Sequence, residues 1–153
     1  MCDRIKDLPC SEGIQRKSRV EKKGERYDSM KVVYTKKAPA AIGPYSQAII
    51  QDTIVYTSGQ IPCDLVSGEV VGNTITVQAE QVMKNLEEVL AEAGTGFENV
   101  MKTTCFLSDM RDFAEFNEIY AKYFVNKPAR SCVAVKDLPK GVLCEVEAIA
   151  VII

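Results

Sequence analysis

The sequence predicts an α+β domain in which a sheet of about six strands carries two helices on one face. Three observations predict it. Six segments read as strands, most of them alternating apolar and polar residues, and only two carry an apolar stripe at helical spacing. Two helices cover one face of such a sheet, while Leu143, Ile149, Val151 and Ile153 make the opposite face too apolar to leave in water. The chain is therefore expected to pair that face with other copies of itself.

In order, residues 1–29 are polar, charged and aperiodic, and are read as an extension outside the domain. An upstream start, a cloning remnant and a real appendage all fit. Residues 30–153 form a single domain. The run Met30-Lys-Val-Val-Tyr-Thr-Lys alternates as a strand does, and residues 36–43 form an extended connection because Pro39 and Pro44 disfavour helix at the residues before them. Strands at 46–51 and 53–58 form a hairpin with a tight turn near Asp52.

After a glycine-containing loop over 64–72, residues 76–93 place Ala79, Val82, Met83, Leu86, Val89, Leu90 and Ala93 on one helical stripe. Gly94 or Gly96 ends that helix in the left-handed conformation. A strand over 100–107 puts Met101, Thr103, Cys105 and Leu107 on one face. Asp109 or Asp112 caps a second helix bearing Phe113, Phe116, Ile119, Tyr120 and Tyr123, and Pro128 stops it. In the last two strands Arg130, Cys132 and Ala134 share a face. Val142, Cys144, Val146, Ala148 and Ala150 share another, with Glu145 and Glu147 pointing the opposite way. Pattern alone pairs these two strands as a hairpin.

Composition narrows the function. The 153 residues are 46% apolar, enough for a real core. The net charge is −2, and residues 30–153 hold 11 Lys+Arg against 15 Asp+Glu, or −4, with no basic stripe to follow a phosphate backbone. No membrane span or signal peptide is legible, so a cytoplasmic protein is expected. With no His and no CxxC pair, the usual zinc sets and every His-dependent nucleophile arrangement drop out. Cys63, Cys105, Cys132 and Cys144 sit among apolar residues and read as reduced thiols.

What remains is one guanidinium, Arg130, in Pro128-Ala129-Arg130-Ser131-Cys132-Val133, and two carboxylates inside an apolar strand, Glu145 and Glu147. Arginine's planar fork suits a carboxylate or phosphate, so a small anionic metabolite is one reading; a structural ion pair or a solvated face is the other. Likewise Ser58 and Gly59, in Thr57-Ser58-Gly59-Gln60-Ile61-Pro62, fit either a close approach to a ligand or a plain turn. Asn117 fits either ligand contact or a hydrogen bond pinning its helix to a neighbouring loop. Cys132 has no base to ionise it, which assigns it a packing or backbone role.

Four motifs carry a resemblance. Ala38-Pro39-Ala40-Ala41-Ile42-Gly43-Pro44-Tyr45-Ser46-Gln47, Ser58-Gly59-Gln60-Ile61-Pro62, Pro128-Ala129-Arg130-Ser131 and Glu145-Val146-Glu147-Ala148-Ile149-Ala150 look like the Rid family, the RidA or YjgF reactive intermediate deaminases. The resemblance runs from about residue 30 to residue 153. It implies a chorismate-mutase-like fold, a mixed six-stranded sheet with two helices on one face, assembled as a homotrimer with clefts between subunits. It also implies that the 100–107 strand lies between the last two strands, against the hairpin that pattern suggests.

RidA-type members hydrolyse 2-imino acids or their enamine tautomers, such as 2-iminobutanoate and 2-iminopropanoate, to 2-oxo acids and ammonia, with neither metal nor cofactor. On that resemblance Arg130 grips the substrate carboxylate and Glu145 activates the attacking water. Tyr45, Ser58, Gly59, Asn117 and Cys132 then line the cleft. The implied partners are a small 2-imino or 2-oxo acid and further copies of the chain, with no membrane and no nucleic acid. Alternatives within the resemblance are a non-catalytic ligand-binding or regulatory trimer, a translation inhibitor or endoribonuclease, and an aminoacrylate deaminase. One departure stands out: only Val125-Asn126-Lys127 separate Tyr123-Phe124 from Pro128, about one residue fewer than the family pattern.

Overall fold

The computed structural model describes residues 30–153, and the extension expected over 1–29 lies outside the described residues. The strands are β1 Lys31–Val33, β2 Ala48–Gln51, β3 Ile54–Thr57, β4 Val100–Leu107, β5 Ala129–Ala134 and β6 Cys144–Val151. The helices are α1 Ile75–Glu92 and α2 Phe113–Tyr123. All six strands form one sheet in the order β1-β2-β3-β6-β4-β5. Its pairs are antiparallel except β4 with β5, so the sheet is mixed.

The β2–β3 hairpin turns at Asp52, whose φ of 56° is the left-handed geometry a two-residue turn demands. The hairpin that local pattern suggests between β5 and β6 does not form. The β4 strand lies between them, pairing parallel to β5 and antiparallel to β6, which the resemblance implied and periodicity could not show. Met101 also departs from expectation. A register shift between Val100 and Lys102 turns its side chain out, 45% exposed, and Val100 takes the buried place.

Helix α1 begins at Thr74, whose hydroxyl accepts from the Val77 amide, and stops at Gly94 with φ +84°. Its stripe of Ala79, Val82, Met83, Leu86, Val89 and Leu90 is wholly buried against the sheet. Each of the larger side chains contributes about 1.5–3 kcal/mol of burial, enough to carry two buried amides on the same helix. Those amides are fully used. Asn85 Nδ2 donates to the Ile61 carbonyl at 2.9 Å and the Cys63 carbonyl at 3.0 Å, and Gln78 Oε1 accepts from the Leu143 amide at 2.7 Å. The helix thereby holds both the segment after β3 and the entry to β6.

Before α2, Asp109 does the capping: its carboxylate accepts from the Arg111 amide at the start of a short 3-10 turn, while Asp112 makes no side-chain cap. Phe116, Ile119 and Tyr120 of α2 are buried, with Phe113 and Tyr123 at the margins. Both helices pack on one face of the sheet, the face that bears Thr103, Cys105 and Leu107 of β4 and Cys144, Val146, Ala148 and Ala150 of β6. The other face keeps Val32, Tyr56 and Val133 exposed, 62%, 47% and 46% respectively. Among the described residues no helix is long and apolar enough to cross a membrane.

Candidate functional site

The first half of the site forms where the chain leaves β3. The Ser58 amide still bonds back to the Gln47 carbonyl at 2.9 Å, but the Gln60 amide bonds across to the Val146 carbonyl at 2.8 Å, and the Val146 amide returns to the Gln60 carbonyl. The backbone switches partners across Gly59. That switch lays Gly59 directly beneath the Glu145 side chain, where an added Cβ would meet its Cδ at 2.7 Å and its Cγ at 2.9 Å. Glycine is required here by the carboxylate above it rather than by backbone conformation.

Tyr45 reaches the same place because of Gln47. Buried, Gln47 accepts from the Thr35 amide at 2.7 Å and donates to the Thr35 carbonyl at 3.2 Å and the Pro39 carbonyl at 2.9 Å, stitching down the loop that ends in Tyr45. Ser58 Oγ donates to the Ser46 carbonyl at 2.6 Å. Tyr45, Ser58, Gly59 and Glu145 then border one cavity of about 520 Å³, together with Pro139 and Glu147. Glu145 is half-buried. Loss of solvent raises its pKa above the ordinary carboxylate value, and the Glu147 carboxylate two residues along the same face raises it further.

The second half is built around Arg130 on β5. Its Nη1 donates to Asn117 Oδ1 at 2.7 Å, and its guanidinium carbon lies 4.6 Å from the centre of the Tyr120 ring and 5.6 Å from that of Phe113. Asn117 thus ties α2 to a strand, not to a loop, and meets the guanidinium itself. The aromatic floor was hidden in sequence, where Phe113 and Tyr120 read only as core positions of a helix. No carboxylate pairs with Arg130 among the described residues. The Arg130 cation is thus held, half-buried, by a neutral carbonyl oxygen and two aromatic rings, contacts that leave its other N–H groups able to donate to an anion.

Cys132 follows Arg130 on the same face, opposite Cys105 of β4. Burial pushes the Cys132 thiol up, outweighing the opposing pull of Arg130, and Cys105 is pushed up to about 12. Neither thiol is a ready nucleophile. The short connection before Pro128 closes as a tight turn. Lys127 takes φ 52° and donates its amide to the Phe124 carbonyl at 3.1 Å, and β5 begins two residues later at Ala129.

Register settles how the two halves relate. Arg130 pairs with Thr103, which pairs with Ala148, and all three face the helices; Glu145 pairs with Phe106, which pairs with Val133, and these face away. Arg130, Asn117 and Cys132 therefore lie on one side of the sheet, and Glu145 on the other. An ion pair between Arg130 and Glu145 within one chain is excluded. Bringing guanidinium and carboxylate to one ligand takes two copies.

The chain matches the family model described as Endoribonuclease L-PSP over residues 35–152. It is similar to 2-iminobutanoate/2-iminopropanoate deaminase of Rattus norvegicus, 52% identical over 122 residues that cover 79% of this chain and 89% of the rat protein. A candidate regulator named AldR from Lactococcus lactis is 53% identical over 122 residues, 79% of this chain and 97% of that one. Among solved structures it resembles Escherichia coli TdcF with bound serine, 41% identical with a TM-score of 0.75, covering 79% of this chain and 98% of TdcF.

Proposed function

The chain belongs to the Endoribonuclease L-PSP family, that of RidA and YjgF, and from that premise we propose that it hydrolyses small 2-imino acids, 2-iminobutanoate and 2-iminopropanoate first among them, to 2-oxo acids and ammonia. The observation that carries this reading is the half-buried Arg130 guanidinium, without a carboxylate partner among the described residues and offered to one by Asn117 and two aromatic rings. A relative with serine bound supports a ligand of that class.

In this reading three copies assemble through the exposed sheet faces, so that Arg130, Asn117 and Cys132 of one subunit meet Tyr45, Ser58, Gly59 and Glu145 of the next. Arg130 holds the substrate carboxylate through its remaining N–H groups. The protonated imine carbon is already electrophilic, so positioning does most of the work. Glu145 takes a proton from water as the oxygen adds to the imine carbon, and returns it to the amino nitrogen of the carbinolamine. The hydroxyl proton is then lost as the carbon–nitrogen bond breaks, leaving the 2-oxo acid and ammonia. A carboxyl whose pKa is raised is better matched to that exchange at neutral pH than an ordinary one.

The endoribonuclease of the family's name fits the site less well. The chain has no His to serve as acid or base and its body carries a net negative charge, which disfavours a polyanion. The deciding experiment generates 2-iminobutanoate from threonine with a dehydratase in the presence of semicarbazide and follows its diversion to 2-oxobutanoate. Diversion by the wild type, lost by at least about a hundredfold in a correctly assembled Arg130→Ala variant, supports the reading. A fully active Arg130→Ala variant sinks it.

A further inference from the structure

Arg130 is aimed by more than Asn117. Tyr120 lies one helical turn beyond Asn117 on α2, and its ring carries the guanidinium at 4.6 Å. The ring is itself fixed at both ends. Its hydroxyl shares a 2.8 Å hydrogen bond with Thr103 Oγ1, a residue 1% exposed on β4, and the ring stacks on Phe124 with centroids 4.3 Å apart and planes 26° apart. Thr103 is also the strand partner of Arg130. The same threonine thus sets the position of the arginine's backbone and the tilt of the ring on which its side chain rests.

We propose that Tyr120, braced by Thr103, is a positioning residue that fixes the guanidinium of Arg130 so that it presents its edge to the ligand carboxylate. With the guanidinium carbon held over the ring and Nη1 committed to Asn117, the remaining N–H groups project along the guanidinium plane, the geometry a two-oxygen anion requires. Arg130 has many rotamers available in principle, and the ring removes that freedom before the ligand arrives. The inference rests on the proposed role of Arg130 as carboxylate anchor.

The test uses the intact assembled protein and three variants, Tyr120→Leu, Tyr120→Phe and Thr103→Val, with KM and kcat measured on 2-iminobutanoate and with 2-oxobutanoate affinity measured by calorimetry. Losing the ring face in Tyr120→Leu raises KM and weakens 2-oxobutanoate by about tenfold, with kcat little changed. Tyr120→Phe and Thr103→Val keep the face and lose only the brace, and each raises KM about threefold while lowering the melting temperature. If Tyr120→Leu fails to assemble, the two brace variants decide. An unchanged KM in them, or equal losses of affinity in Tyr120→Phe and Tyr120→Leu, overturns the proposal, since a purely structural tyrosine would lower stability and kcat and leave affinity alone. A wild type that binds 2-oxobutanoate but hydrolyses no imine overturns the deaminase reading, and the affinity series still decides the role of Tyr120.

Discussion

Gly59→Ala isolates the placement of the Glu145 carboxylate without touching a charge. Gly59 does not adopt a left-handed φ, so alanine fits the backbone and the perturbation is purely one of space. The new Cβ would stand 2.7 Å from Cδ of Glu145, whereas ordinary contact begins at 3.4 Å, so the carboxyl carbon must retreat by about 0.7 Å and the nearer oxygen by more. The side chain can yield, because the crowded atoms are its free end, at about 0.5–1.5 kcal/mol of rotamer strain. Stability and assembly should therefore change little. Catalysis should not survive so well, since a displacement on the order of 1 Å of a reacting group costs about a hundredfold in rate. The dehydratase-coupled assay should show kcat lowered by about that factor, with KM for 2-iminobutanoate near wild type because the Arg130 half of the cleft is untouched. A kcat within about threefold of wild type, in a protein whose assembly is confirmed, would refute the assignment of Glu145 as the group that activates water.

Glu145→Gln should slow hydrolysis by about a hundredfold or more while leaving 2-oxobutanoate binding in place. Its stability has a definite sign. Because the folded protein binds the Glu145 proton more tightly than the unfolded chain does, the stabilisation from that proton is present at acid pH and is lost as pH rises through the raised folded pKa. The glutamine variant escapes that loss, so it should melt above wild type at neutral pH and converge with it in acid; a wild type that melts higher at neutral pH would contradict the burial of the charge. By the same sign, wild-type activity should fall on acidification at a pH above the ordinary carboxylate value. Gln47→Ala should cost about 2–3 kcal/mol in denaturant titration, because it leaves buried backbone groups of Thr35 without partners, and should raise KM by loosening the loop that ends in Tyr45. A melting curve and KM that match wild type would show that the loop is held by something else.

Legibility followed the range of the interactions. The α1 stripe, the hairpin at Asp52 and the alternation along β6 depend on neighbours within a few positions, and periodicity showed them. Arg130 and Glu145 stood out because a charge inside an apolar strand is costly without a purpose. The place of β4 between β5 and β6 left no local trace, because it is decided by which strands fill the middle of the sheet; it came from the family resemblance. Met101 was misread for a comparable reason, since the shift between Val100 and Lys102 belongs to the pairing with β6 and breaks the alternation without a marker residue. Tyr120 and Gln47 were passed over because helical spacing and plain loop polarity explained them well enough. Only coordinates reveal that one lies under a guanidinium and the other stitches a loop.

The division of Arg130 and Glu145 between opposite faces of one sheet has a consequence for inheritance. If each subunit lends its arginine side to one neighbour and its glutamate side to the other, a gene copy damaged at Arg130 and another damaged at Glu145 can rescue one another, for random mixing of their products restores about a quarter of the clefts. A copy damaged at both positions has the reverse effect, poisoning two of the three clefts of any assembly it joins. On that division of labour the chain is the unit of folding, but the boundary between two chains would be the unit on which selection for activity acts.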